Sequence, residues 1–234
     1  MISLFPFSFF YSASYTESLF LLLAAASFYW AEEDRWGLAA LAGLFCTAGK
    51  AVALFLLPAL LLRYLEKKSF IFKKIRKDIC CLFAIPFGAI AYFCFLHVSF
   101  GGNPLVLIHA AEKYWERDLF NFTRMQYAFT HFLADGKACL YLFYVFLIII
   151  FLWLAIKAWR SLSASYALFS LCLISLPLLT SLQCTGRYLS VIFPCFIALA
   201  CAVTSLPLRY ALYVISSGML AALSVYFILG GRLY

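Results

Sequence analysis

Apolar residues in this chain come in long runs separated by short polar or charged breaks, a pattern that suits helices crossing a bilayer better than water-facing elements. Tyr15 to Ala31 is a 17-residue run that ends in the charged turn Glu32-Glu33-Asp34-Arg35. Trp36 to Tyr64 is 29 residues long and is interrupted by Cys46-Thr47-Ala48-Gly49-Lys50. As one helix this second run would extend roughly 44 Å, too long for a hydrocarbon core of about 30 Å. The pattern therefore predicts a helical hairpin with Gly49 and Lys50 at its tip. A single tilted span is the alternative, and it would move residues 1–14 to the cytoplasmic side. Ile79 to Val98, Lys137 to Ile156, Tyr166 to Leu182, Tyr188 to Ser205 and Tyr210 to Leu229 supply the remaining predicted crossings.

Residues 99–136 form a polar, mixed-charge stretch between two of these crossings and read as an extracytoplasmic loop. The loop opens on the turn signal Gly101-Gly102-Asn103-Pro104. Two short amphipathic helices are expected in it, around His109 to Trp115 and Arg124 to His131. The predicted fold is all-α: one polytopic transmembrane helical domain over residues 1–234, with about six to eight membrane helices, a short or re-entrant hairpin and an outer cap.

Composition strengthens this picture. Apolar residues make up 66% of the chain and charged residues only 12%, with mean hydropathy +0.98. A soluble domain is about a quarter charged, so this chain could not cover itself with polar surface in water. The net charge of +8 does not point to nucleic acid, because the basic residues sit at the ends of apolar segments. Arg63, Lys67, Lys68, Lys73, Lys74, Arg76 and Lys77 form the densest group and mark a cytoplasmic loop facing membrane lipid. No basic n-region or cleavage site follows Met1, so no signal peptide is expected. The nine cysteines lie mostly inside apolar runs without CxxC spacing and read as small buried hydrophobes. An integral membrane location follows: a bacterial plasma membrane, or an endoplasmic reticulum membrane in a eukaryote.

Ionisable groups at membrane depth or at the membrane face are costly, so the few present are candidates for chemistry. Glu17 lies in the polar patch Tyr11 to Ser18, where it could favour a helix N-terminus or serve as a carboxylate beside a polar cavity. Lys50 interrupts an apolar run with no acidic residue nearby in sequence; it reads as a snorkelling lysine or as a point charge for a phosphate. Arg187 follows Cys184-Thr185-Gly186 at the mouth of two spans, where a guanidinium anchors to headgroups or grips a phosphate in bidentate fashion. His109 and His131 have no HxxE or HExxH partners, so no metal site is predicted. No nucleotide loop is present either, which argues against an ATP-driven pump.

Several segments together resemble a known family. Phe5-Pro6-Phe7-Ser8-Phe9-Phe10 through Tyr15-Thr16-Glu17-Ser18-Leu19-Phe20 resembles a motif of the PIG-V-type mannosyltransferases. That family includes the second mannosyltransferase of glycosylphosphatidylinositol assembly and its bacterial relatives. Trp36 to Thr47 with Leu56-Leu57-Pro58-Ala59-Leu60 is similar to the family's next helical pair. Gly102-Asn103-Pro104-Leu105 with His109 and Trp115 resembles its outer loop. Gly186-Arg187-Tyr188-Leu189 with Phe193-Pro194-Cys195-Phe196 resembles its final signature. The order agrees along nearly the whole chain.

The resemblance implies a GT-C-type glycosyltransferase that moves mannose or a similar hexose from a polyprenyl- or dolichyl-phosphate donor to a lipid-linked or glycan acceptor. It implies Glu17 as catalytic carboxylate or acceptor-orienting group, Lys50 and Arg187 as donor phosphate ligands, and Tyr15, Ser18, His109, Trp115 and Tyr188 as substrate contacts. No cofactor is required by these motifs; a divalent cation beside Glu17 is the one candidate. The family's usual acid, in the first outer loop after the first transmembrane helix, would precede residue 1. That implies the C-terminal part of a longer module or a degenerate member, inactive alone. A transporter or lipid flippase, and a noncatalytic membrane subunit with a partner, are the alternatives.

Overall fold

The computed structural model describes residues 1–71, 73, 75–100, 138–179, 182 and 185–230. Among them every regular element is helical and there is no strand. The α-helices are α1 (Glu17–Glu32), α2 (Trp36–Gly49), α3 (Leu56–Lys67), α4 (Ile85–Phe100), α5 (Ala138–Ser161), α6 (Ala164–Leu179), α7 (Thr185–Ser190), α8 (Phe193–Ala202) and α9 (Leu206–Ile228). Short 3₁₀ turns cover Ile2–Leu4, Ser8–Tyr11, Ala51–Phe55 and Lys77–Ala84. Among the described residues three segments are long and apolar enough to cross a bilayer: Lys77–Ser99, Leu140–Ser161 and Leu206–Ile228.

The chain packs as two compact units. One contains Thr16, α1 to α4 and the Ser163–Phe169 stretch; the other contains Met1–Tyr15, α5, the end of α6 and α7 to α9. In the first unit α1 buries Phe20, Ala24, Ser27, Phe28 and Ala31, residues three and four apart on one face. They pack against α2, whose buried positions Trp36, Ala39, Ala40, Gly43, Cys46 and Thr47 repeat with the same period and are mostly small. Small side chains also let α4 approach α2 closely. A Cβ on Gly88 would lie 1.9 Å from the Leu44 carbonyl oxygen and 2.4 Å from Thr47 Oγ1, and one on Gly43 would meet Ile85 at 2.8 Å. Thr47 donates its hydroxyl to the Ile85 carbonyl at 2.6 Å, which fixes the crossing.

The 29-residue run from Trp36 to Tyr64 doubles back. Its two ends meet, with the Trp36 and Tyr64 rings 4.7 Å apart, edge to face. At 1.5 Å per residue α2 and α3 are only about 21 and 18 Å long, and Lys50 leaves the helix in an extended conformation between them. The hairpin is therefore the geometry adopted, and one tilted span is not. Helix α3 stops in a Schellman arrangement: Ser69 N–H donates to the Glu66 carbonyl and Phe70 N–H to the Leu65 carbonyl, both at 2.9 Å. Ser69 occupies the left-handed position usually given to glycine.

The second unit has an aromatic core. Phe5 packs edge to face on Phe151 and Phe196, and Phe7 sits against Phe143 and Tyr144. One predicted crossing is corrected here. Tyr188 to Ser205 is not one helix but α7 and α8, because Pro194 at the start of α8 has no N–H to donate into a preceding turn. Within the run Tyr166 to Leu182 the described helix is the 16-residue α6, with Pro177 inside it removing one helical hydrogen bond. The run at 15–31 is likewise a 16-residue helix. The predicted loop 99–136, apart from Ser99 and Phe100 at the end of α4, lies outside the described residues, as do His109, Trp115 and His131.

The α2–α4 crossing gives a direct test. Gly88→Val is expected to destabilise the chain by about 1–3 kcal/mol through overpacking, read as a lower thermal midpoint in detergent. Gly37→Ala and Gly218→Ala, where an added Cβ meets nothing within 4 Å, should leave the midpoint unchanged or slightly raised.

Candidate functional site

Glu17 opens α1, where a carboxylate in the first turn favours the helix dipole, and Thr16 before it makes no side-chain cap bond. The Glu17 side chain is fully buried. Lys50, at the turn between α2 and the Ala51–Phe55 3₁₀ turn, donates Nζ–H to Glu17 Oε1 at 2.7 Å. The lysine without an acidic neighbour in sequence thus has one in space. Its ammonium also lies 5.7 Å over the Phe20 ring, and the Lys50 side chain as a whole is 14% exposed. Thr16, Leu19, Leu23 and Phe45 lie beside the pair, packed too closely to leave room for a water. Ser18, on the first turn of the same helix, is exposed.

Arg187 belongs to the other unit. Three contacts join Met1–Tyr15 to α7. Tyr11 donates its hydroxyl to the Ser190 carbonyl. A Cβ on Gly186 would lie 2.4 Å from the Phe7 ring, so only glycine lets α7 settle there. Arg187 Cζ stands 4.3 Å from the centroid of the Tyr15 ring. Tyr15 is itself braced edge to face by Phe10, and Phe10 by Phe227 of α9. A cation at this distance over an aromatic ring is attracted by about 1 kcal/mol. The edge carrying the N–H donors is the part that pairs with a phosphate in bidentate fashion. Tyr188 follows in α7, half-buried.

A third constellation was not expected from the sequence. Arg63 forks onto Glu32, with Nε to Oε1 at 2.9 Å and Nη2 to Oε2 at 2.6 Å, and reaches Glu66 at 3.3 Å. Tyr166 donates to Glu32 Oε1 at 2.8 Å, and the Ser165 N–H donates to Glu66 Oε1 at 3.2 Å. Lys67 donates to the last carbonyls of α1, Ala31 at 3.0 Å and Glu32, and pairs with Asp34 at 3.1 Å. Tyr64 donates to Asp78 at 2.6 Å. Burial alone would raise the Glu32 carboxyl, but the hydrogen bonds from Arg63 and Tyr166 and the charges of Arg63 and Lys67 outweigh it and hold the group below its ordinary value of 4.5. Only the Arg63–Glu66 spacing at i, i+3 is visible in sequence; the pairing with Glu32 needs the hairpin to close.

Among the described residues no three His, Cys, Asp or Glu side chains gather to hold a metal, and Glu17 has a lysine beside it instead of a second acid. Compared with protein-family models, curated proteins and solved structures, the chain matches none.

Two measurements follow. Removing one partner of a buried ion pair leaves an uncompensated charge, at about 3–5 kcal/mol; Lys50→Met and Glu17→Gln should each lower the thermal midpoint clearly, and the double variant should recover much of the loss. Glu32 is ionised more readily folded than unfolded, so its contribution is present above the ordinary carboxylate value and fades as pH falls through the lower folded value. Acid unfolding of Glu32→Gln should therefore show a shallower loss of stability than wild type below about pH 5.

Proposed function

We propose that this chain is an integral membrane glycosyltransferase of GT-C type, with six to eight membrane-embedded helices in which the shorter apolar helices α1, α2, α6 and α8 line the protein interior. Its donor is a hexose, mannose or a close relative, on a polyprenyl or dolichyl phosphate; its acceptor is a lipid-linked or glycan hydroxyl. The observation that carries this reading is Arg187 stacked on Tyr15. The two motifs that resemble the PIG-V-type family, one at residues 5–20 and one at 186–196, meet in space through Phe7, Tyr11 and Tyr15. Residues far apart in sequence thus build one arginine site, and the chemistry proposed needs such a cation.

In the proposed reaction the acceptor hydroxyl attacks the anomeric carbon from the face opposite the phosphate, with inversion. A carboxylate takes the hydroxyl proton. The bond from the anomeric carbon to the phosphate oxygen breaks, and Arg187 stabilises the charge that develops on that phosphate. Lys50, bound to Glu17, is proposed as a second cation for a lipid-borne phosphate. His109, Trp115, Ser18 and Tyr188 are proposed as substrate contacts.

One observation favours a second reading. The Glu17 carboxylate is fully buried and bound by Lys50, an arrangement suited to holding α1 against the hairpin tip more than to taking a proton. On this reading the chain is a noncatalytic subunit that presents a lipid phosphate to a partner.

Membranes containing the full chain and labelled polyprenyl-phosphate-mannose separate these readings. Sugar transfer that falls by about 100-fold or more in Arg187→Ala, with partial retention in Arg187→Lys, supports the enzyme. Transfer unchanged in Arg187→Ala removes that arginine from the site. Binding of the donor without transfer supports the subunit, and movement of the donor across the bilayer supports a flippase.

A further inference from the structure

The turn that leaves α3 is the most unusual backbone among the described residues. Ser69 and Phe70 are consecutive non-glycine residues with φ of +56° each. A left-handed residue at the first position is ordinary for a Schellman stop, but a bulky aromatic at the second is strained and persists only where its surroundings hold it. The holding bonds are the backbone donations of Ser69, Phe70 and Ile71 to Glu66, Leu65 and Lys68. In a Schellman stop the apolar residue after the turn commonly packs back on the helix; here Phe70 is 58% exposed and Ile71 44% exposed.

The chain that follows this apolar tip is rich in basic residues. Lys73, Arg76 and Lys77 are exposed. Three acids on the neighbouring elements are already engaged, Asp34 by Lys67 and Lys68, Glu66 by Arg63, and Asp78 by the Tyr64 hydroxyl, while Glu33 at the end of α1 is exposed. The 23-residue apolar helical segment Lys77–Ser99 begins at the last of these cations, so the turn stands where that segment enters the hydrocarbon. Exposed Phe and Ile on the spanning helices face acyl chains in any membrane protein. Phe70 and Ile71 are different, because they sit outside the helices and at the level of the charges.

We propose that Phe70 and Ile71, together with Lys73, Arg76 and Lys77, are a binding site for anionic phospholipid. Phe70 and Ile71 enter the boundary between headgroups and acyl chains, and Lys73, Arg76 and Lys77 take the headgroup phosphates. The apolar tip selects a lipid over a soluble anion, and the three cations select an anionic headgroup over a zwitterionic one. The strained backbone is what keeps the aromatic out of the protein and available to the bilayer. This inference rests on membrane residence and not on sugar transfer, so it stands or falls separately from the transferase reading.

The test uses the purified full chain in nanodiscs of phosphatidylcholine mixed with phosphatidylglycerol, with the retained lipids counted by native mass spectrometry. Wild type should retain phosphatidylglycerol in preference to phosphatidylcholine. Each of Lys73→Gln, Arg76→Gln and Lys77→Gln should lower that preference about fivefold, and Phe70→Ser should lower retention while the thermal midpoint in pure phosphatidylcholine stays at the wild-type value. Lys157→Gln with Arg160→Gln, a basic pair in the other unit, serves as the charge control and should leave the preference intact. An equal loss in that control would mean that net charge acts and the site does not exist. Unaltered preference in the three Gln variants, or displacement of the retained lipid by inorganic phosphate, would likewise overturn the proposal.

Discussion

Arg63 gripping Glu32 with two parallel hydrogen bonds is the contact on which the described half of the chain up to α4 depends. It holds the end of α1 to the end of α3 and so obliges the long apolar run between them to fold back on itself. A helix pair of this kind has no hydrophobic reason to close inside lipid, where acyl chains are as apolar as leucine. Closure must come from polar groups and from close backbone contact. Both are present. Tyr166 and Lys67 surround the same carboxylate and the adjoining carbonyls, and glycine at 43 and 88 lets α2 and α4 approach within backbone distance.

Closing the hairpin at one end determines what happens at the other. With the charged belt near residues 32–34 and 63–67, the tip at Gly49 and Lys50 is carried back along α1 to its beginning, where Glu17 waits. Two charges that would each be costly in hydrocarbon then neutralise one another. The Lys50 side chain remains 14% exposed. In the second unit another cation meets an aromatic ring, Arg187 over Tyr15. Each cation is thus oriented by an aromatic neighbour, Phe20 for Lys50 and Tyr15 for Arg187.

The aromatic richness of the N-terminal stretch also acquires a purpose. Phe5, Phe7 and Phe10 read along the chain as a membrane-like run, yet they are buried in protein, against α5, α8 and Phe227. They form the floor on which α7 rests, with Phe7 filling the space beneath Gly186. Helix α9 lies at the other extreme: none of its residues is buried, although it is long and apolar enough to cross a bilayer.

From the sequence alone one could read that the chain is helical and built for lipid, because run length and the scarcity of charge leave few other solutions. The hairpin was legible too, since 29 apolar residues exceed a bilayer and contain one lysine in the middle. The candidate cations were legible because a charge at membrane depth stands out from its neighbours. Which groups those cations meet was not. Lys50 and Glu17 are 33 positions apart, Arg63 and Glu32 are 31, and Tyr11 and Ser190 are 179. No local pattern encodes such separations, because they arise only after helices with small residues at chosen positions have packed. The break at Pro194 was visible as a letter but not as a helix boundary, since hydropathy averages over a window and does not register a missing N–H. Periodicity and cost in lipid determined the elements; distance across the packed helices decided the partners.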